Sequence, residues 1–464
     1  MTVRLAVIGG GVSGLTAAHA VRRGLGDEAL IDVWEASERA GGLLYTRELG
    51  ATALDVGAEA FIVRRPEALA LIDELGLADL VVSPGPLRPA IWSGERLHPL
   101  PSPAVMGIPA GSAALGELIG RAGRDRIDAE PERGWTRRPG PATSVGELVR
   151  DRFGDAVTAR SVDPMLGGVY SARADDLGLA ETIPALAAAL DDGAPSLTAA
   201  VTSLSAAATA AAGPVFGALR GGYRALVAAL TASSGATIRT GAEAVAIGHG
   251  AGGYAVTGAD GTGADYDAVI VAVPAHRAGA LLADVAGGAA STLGAVRPAG
   301  SAVVACELAP GVQVPANSGI LVATDSDLRI KAVTLSTQKW PHLAAGGPPV
   351  LRVSFGRLGE PVTGADTELI ATAAGDLARL FAAAGLPAPE ITGAVVQRWP
   401  EGLPHYAPGH LAAVRKALAE LPPGLAVAGA AVNGVGVPAC IGSARRAADA
   451  VTAHLSGGGT AAAR

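Results

Sequence analysis

Arg4-Leu5-Ala6-Val7-Ile8-Gly9-Gly10-Gly11-Val12-Ser13-Gly14 is the stretch that decides the fold. The run up to Ile8 is short and apolar and shows no helical period, as a strand buried in a parallel sheet does. It enters a G-x-G-x-x-G turn at Gly9, Gly11 and Gly14, with Gly10 inside it. Leu15 to Val21 follows an Ala-rich helical pattern, and a second apolar run, Leu30-Ile31-Asp32-Val33-Trp34, ends at Glu35. Strand, glycine turn, helix and strand are the context in which this pattern binds a dinucleotide. Gly9 makes the tight turn, Gly11 lets backbone approach a pyrophosphate, and Gly14 lets the helix pack close to the sheet. The free N–H groups and positive dipole end of the helix, with Val12 and Ser13 in its first turn, receive the pyrophosphate. Glu35 follows Gly14 by 21 positions, where an acid bonds ribose hydroxyls and repels a 2′-phosphate. The alternative is a chance cluster in a chain with 64 glycines, and the flanking strands, helix and acid argue against it.

Downstream, Glu35-Ala36-Ser37-Glu38-Arg39-Ala40-Gly41-Gly42-Leu43 leads to Leu54-Asp55-Val56-Gly57-Ala58-Glu59. A nicotinamide-binding domain would continue with ordinary βαβ units. The E-x-x-x-R-x-G-G pattern instead resembles the glutathione-reductase-like (GR2-type) flavoproteins, which include amine oxidases, phytoene desaturases and protoporphyrinogen oxidases. That resemblance implies FAD. It also implies that Ala36, Arg39, Gly42, Leu43, Gly57, Ala58 and Glu59 lie along the cofactor. Arg39 would offer its rigid donors to phosphate or ribose; its alternative is a solvated loop arginine.

The chain has 464 residues, enough for two or three domains. Apolar residues make up 49% and charged residues 17%, which is globular and not disordered. The net charge of −7 gives no case for nucleic acid. Cys306 and Cys440 are the only cysteines and the histidines show no paired spacing, so neither a disulfide framework nor a metal site is expected. No run reaches the roughly 18 apolar residues of a membrane span. The expectation is a cytoplasmic protein with at most peripheral membrane contact.

Further along, Arg64-Arg65 could meet a substrate anion, or could simply form a surface turn before Pro66. Pro-rich residues 84–112 read as loops and short strands, Leu115 to Glu132 as an amphipathic helix, and 177–214 as Ala/Leu-rich helix. Ser144 and Glu147 form a capping-box pair. Met165-Leu166-Gly167-Gly168-Val169-Tyr170 sets two glycines inside a helical region, which costs about 1 kcal/mol each. They either admit a flat ligand or serve a helix crossing. Ala268 to Val273 is a buried strand of the first domain, and 301–400 carries alternating strands interrupted by a helix from Thr367 to Ala384. Gly434-Val435-Gly436-Val437-Pro438 feeds a helix whose N-terminus is a second site for cofactor oxygens, and the tail Ser456–Arg464 is expected to be disordered.

Three more islands narrow the resemblance: Pro164 to Tyr170 (P-x-x-x-G-V-Y), Lys339-Trp340-Pro341, and Arg398-Trp399 through Tyr406 to Gly409-His410 (R-W…P-x-Y-x-x-G-H). Together with the glycine motif they resemble, over nearly the whole chain, the oxygen-dependent FAD-containing protoporphyrinogen/coproporphyrinogen III oxidases. The likeness is greatest to the Gram-positive enzymes acting on coproporphyrinogen III. It implies oxidation of a porphyrinogen by FAD and O2 in haem synthesis, with ferrochelatase or another haem-synthesis enzyme as a partner. It places a backbone carbonyl at Gly168 near the ring nitrogens, Arg65 at a propionate, Gly167 and Tyr170 at the substrate, Val245 at the adenine, and Trp399, Gly436, Val437 and Pro438 at the cofactor. Glu59-Ala60 and Ser171-Ala172 depart from the family's Asp-Ser and Ala-Gly. Substrate preference stays open between coproporphyrinogen, with four carboxylates, and protoporphyrinogen, with two. The runner-up is an amine oxidase or carotenoid desaturase on the same frame, for which Lys331 is the nominated flavin-side lysine; the third reading is a non-catalytic flavin- or porphyrin-binding protein.

The expected fold class is α/β plus α+β. An amine-oxidase-like FAD domain is built from residues 1–84, 215–300 and 405–464. Residues 85–214 form a helical insertion, and 301–404 an antiparallel substrate-binding sheet.

Overall fold

The computed structural model describes residues 2–135, 138–210, 213–344 and 347–458. The tail from 459 onward lies outside the described residues.

Three separate stretches of chain build a five-stranded parallel sheet. Arg4–Ile8 lies at its centre, between Leu30–Trp34 and Ala268–Val271, and Thr237–Arg239 and Leu425–Val427 form its edges. Leu5, Ala6, Val7 and Ile8 are buried, because helices cover one face of the sheet and the antiparallel strands Ala244–Gly250, Gly253–Gly258 and Gly263–Tyr266, with the helix Ala275–Leu281, cover the other. The first helix, Val12–Leu25, packs Ala17, Ala18 and Val21 against Ala444, Ala447, Ala448 and Val451 of the C-terminal helix Val437–Gly458. Small side chains on both helices permit this close approach.

A seven-stranded sheet forms the second layer, in the order Ile391–Pro404, Pro298–Leu308, Val350–Phe355, Ala332–Thr334, Gly319–Val322, Ala90–Ser93 and Arg96–Pro99. Its pairs are antiparallel except that Gly319–Val322 runs parallel to Ala90–Ser93. One face packs on the helix Asp366–Ala383 through Leu369, Leu377 and Phe381. On the other face Ala305 and Val350 meet Leu49, Leu54 and Val56 of and beside the hairpin Thr46–Leu49/Thr52–Asp55.

The helical part between them differs in detail from expectation. Leu115 to Glu132 is helical over Arg121–Asp128 only, with single 3₁₀ turns at Ser112–Leu115 and Glu130–Glu132. Gly116 and Gly120 interrupt it, and Gly116 has φ of +52°. Residues 177–210 break into Leu179–Thr182, Pro184–Asp191 and Leu197–Ala210, at Pro184 and Gly193. The Ser144 cap forms, its Oγ accepting the Glu147 N–H at 3.0 Å.

Candidate functional site

The glycine turn is built around contacts that no side chain would survive. A Cβ on Gly14 would lie 1.8 Å from the Gly9 carbonyl oxygen, and one on Gly9 would lie 2.6 Å from that of Ala272. Gly9 has φ of +107°. Gly41 N–H donates to the Gly10 carbonyl at 2.8 Å, and a Cβ on Gly42 would stand 3.0 Å from Gly11 Cα. The two glycine loops thus lie backbone on backbone. Gly11 begins the first helix without a side-chain cap, so the first-turn N–H groups of Val12, Ser13 and Gly14 remain available to an anion.

Glu35 lies beside this turn. Its Oε2 accepts the Gly10 N–H at 2.7 Å, and its Oε1 accepts the Ser37 N–H and hydroxyl at 2.8 and 2.6 Å. Lone pairs remain for further donors. Ala36 is exposed next to it. Val245 sits at a bulge in the strand Ala244–Gly250 and is 47% exposed, an apolar side chain left to solvent near the Glu35 turn.

Arg39 is held within the protein. Its Nη2 donates to the Gly42 carbonyl at 2.7 Å, and its guanidinium stacks 3.7 Å from the Tyr45 ring centroid. The fork braces the glycine turn, and burial lowers its pKa. Leu43 and Gly57 meet next: a Cβ on Gly57 would lie 2.0 Å from the Leu43 carbonyl oxygen, and Ala58 N–H donates to that same oxygen at 3.0 Å. Trp399 donates its indole N–H to the Val56 carbonyl at 2.9 Å and covers Gly57.

Glu59 joins this backbone to the second sheet. Its Oε2 accepts from Lys339 Nζ at 2.6 Å, while Arg352 Nη2 donates to the Gly57 carbonyl at 2.7 Å. Burial pushes the Glu59 carboxyl up, but the charges of Lys339 and Arg352 outweigh it and hold it at about 2. The sequence reading gave no role to Arg352 or Lys339. A signal was present: Arg352 is the lone charge in the apolar strand Val350-Leu351-Arg352-Val353-Ser354-Phe355.

The helix Asp163–Tyr170 follows a π turn at Thr158–Val162, just before Pro164, which has no N–H for the ladder. The paired glycines are not forced by packing. A Cβ on Gly168 would meet only Leu321 at 3.7 Å, an ordinary contact, and Gly168 is exposed. Gly167 is turned the other way: it is buried, its carbonyl closes the helix on Ser171 N–H at 3.1 Å, and only Gly168 faces open space. The Tyr170 hydroxyl donates to the Thr182 carbonyl at 3.3 Å, and burial raises its pKa to about 12.

Tyr170 packs on Tyr406, their ring centroids 6.0 Å apart. Tyr406 donates to the Ala430 carbonyl at 2.5 Å and accepts the Gly434 N–H at 2.6 Å. His410 stacks on it at 4.6 Å and bonds the Ala431 carbonyl at 2.7 Å. The Tyr and His of the fourth island therefore hold the loop that delivers Gly436, Val437 and Pro438 to the start of the C-terminal helix. Gly436 is exposed there, while Val437 and Pro438 are buried. Arg65 lies at the same loop: Nη2 pairs with Glu67 at 2.7 Å, and Nη1 would be 3.7 Å from a Cβ on Gly434.

Lys331 is buried, and its Nζ donates to Ser171 Oγ at 2.6 Å. Burial, then the charge of Arg357, lowers its pKa to about 7. It fastens Ser171, which ends the glycine-bearing helix. Among the described residues no group of three potential metal ligands occurs, and no helix is long and apolar enough to cross a membrane.

An uncapped helix N-terminus at Gly11, a backbone cradle that any Cβ would fill and the acid Glu35 beside it together fit a flavin cofactor. The comparisons agree with this geometry. The model of the flavin containing amine oxidoreductases matches residues 12–452. A coproporphyrinogen III oxidase of Mycobacterium tuberculosis is 44% identical over 452 residues, covering 97% of each chain. The enzyme of that name from Bacillus subtilis is 30% identical over 96% of this chain and 97% of its own. A solved structure from Exiguobacterium sp. 255-15 superposes with a TM-score of 0.86 at 26% identity, covering 98% and 99% of the two chains. The chain uses a flavin, and it belongs to the flavin containing amine oxidoreductases and, within them, to the coproporphyrinogen III oxidase family.

Proposed function

We propose that this chain oxidises coproporphyrinogen III to coproporphyrin III with FAD as its flavin. Six electrons and six protons leave the substrate, and three O2 become three H2O2. The observation that carries this reading is the 44% identity, across 97% of both chains, with enzymes of that name. The flavin, when bound, accepts hydride from the substrate and passes electrons to O2.

The chain's own residues bind and orient. The N-termini of the helices starting at Val12 and Val437 neutralise phosphate and ring oxygens. Glu35 and the exposed Val245 support an adenosine half, and hence FAD. The Gly168 carbonyl orients the macrocycle nitrogens from a helix face kept free of side chains, and Arg65 meets a propionate. No side-chain acid–base pair is needed beside the carbons that lose hydride.

Anaerobic mixing with coproporphyrinogen III tests this. The visible flavin band should bleach, and readmitted O2 should restore it with porphyrin and peroxide formed one to three. A band that keeps its colour overturns the reading. Protoporphyrinogen IX is the comparison substrate, and faster bleaching with it would reverse the assigned preference.

A further inference from the structure

Two buried polar atoms beside Gly57 have no partner within the protein. Arg352 uses Nη2 on the Gly57 carbonyl, and its Nη1 stands 3.6 Å from Glu59 Oε1, beyond hydrogen-bond reach. Glu59 uses Oε2 on Lys339. Glu59 Oε1 and Arg352 Nε are left buried and unsatisfied, and Arg352 is only 7% exposed. Such an atom destabilises the fold when nothing meets it. The Trp340 indole N–H faces the same carboxylate without reaching hydrogen-bond geometry. As a donor it could not in any case serve Arg352 Nε.

The orphans are chemically complementary: one acceptor and one donor, on neighbouring side chains. Lys339 and Arg352 stand on either side of the Glu59 carboxylate, with Asp55 the further acid in electrostatic range of Arg352 and Glu59. A ligand that answers both must present a donor and an acceptor side by side and gain from a nearby cation. The imide edge of a flavin does so, with its N3–H between two carbonyls and a negative charge after reduction.

We propose that Glu59 Oε1 accepts the flavin N3–H, that Arg352 Nε donates to an adjacent ring carbonyl, and that Lys339 and Arg352 stabilise the reduced anion. This rests on the flavin reading of the glycine cradle. It makes Glu59, where the family pattern has Asp, the residue that reads the ring edge.

The test uses the full-length chain, stripped of flavin and titrated with FAD or with 3-methyl-FAD, which lacks the N3–H. Native protein should prefer FAD by about tenfold, the size of one hydrogen bond to a charged group. E59A should lose the preference. E59Q, whose amide oxygen still accepts, should keep part of it and guards against a folding defect in E59A. In the holoprotein, R352Q should move the flavin midpoint potential negative, with R352K recovering part of the shift. Equal affinity of the native chain for both flavins, an undiminished preference in E59A, or an unmoved potential in R352Q overturns the proposal. Binding of FAD without discrimination fells this inference alone, whereas binding of neither flavin fells the cofactor reading with it.

Discussion

Lys331 is the residue most at odds with its surroundings. It is a buried ammonium with one hydroxyl partner, next to Arg357. Other charges near its end of the helix are Glu360, Arg173 and Asp163, and both arginines already face Glu360. Its folded pKa of about 7 lies below the ordinary 10.5, so in that window the unfolded chain holds a proton the folded chain has released. Stability should therefore rise with pH from about 7 toward 10.5. K331M removes the buried charge, so it should raise Tm at pH 6 and gain progressively less toward pH 10, as melts across that range will show. An unchanged or lowered Tm at pH 6 would mean the Ser171 link outweighs desolvation. At this scale the sequence was legible wherever geometry is local: Gly9 makes the tight turn and Gly14 the close helix–strand approach that their spacing implies. The bonds of Arg39 and Gly167 within the protein were not legible, because only the folded path of each turn decides which nearby group, Gly42 and Tyr45 or Ser171, they meet.

Two elements carry the site's shape. The helix Asp163–Tyr170 exposes a glycine that packing does not require. G168A should leave Tm unchanged or raise it, since alanine favours a helix by about 1 kcal/mol over glycine. G168V should lower kcat/KM for porphyrinogen at least tenfold with the flavin spectrum intact. Equal kinetics in G168V would remove Gly168 from the substrate face. The loop Ala430–Gly434 depends on one hydroxyl that serves two backbone groups. Y406F strands both, so it should cost about 2 kcal/mol or more of stability and weaken flavin retention, measured by melts and by gel-filtration loss of colour. The strands of the second sheet could be read from alternation and apolar runs, as could the helix Asp366–Ala383. The broken helices of 112–132 and 177–210 could not, because glycines and Pro184 outweighed an apolar pattern that looked continuous.

On the scale of the molecule, the loop that carries Gly57 and Glu59 is tied to Arg352 of the seven-stranded sheet and to Lys339 of the short helix Ser336–Lys339. A cofactor lodged beside that junction binds only the folded chain. Stripping the flavin should lower Tm by several degrees, and added FAD should restore it in proportion to the logarithm of its concentration. A Tm indifferent to flavin would separate the cradle from the fold's stability. The architecture was legible from the first motif and the three later islands. The sharing of the second sheet was not: Ala90–Ser93 pairs with Gly319–Val322, and no local pattern announces a partner so far away.

The edge strand Leu425–Val427 and the helix Val437–Gly458 complete a layer whose central strand is Arg4–Ile8. A nascent chain leaves the ribosome from its amino end, so the cradle begun at Gly9 stays open until the strand Leu425–Val427 and the helix begun at Val437 have been made. Capture of the prosthetic group thus waits for that helix, and chains terminated before it should emerge without colour however much of the remainder has folded.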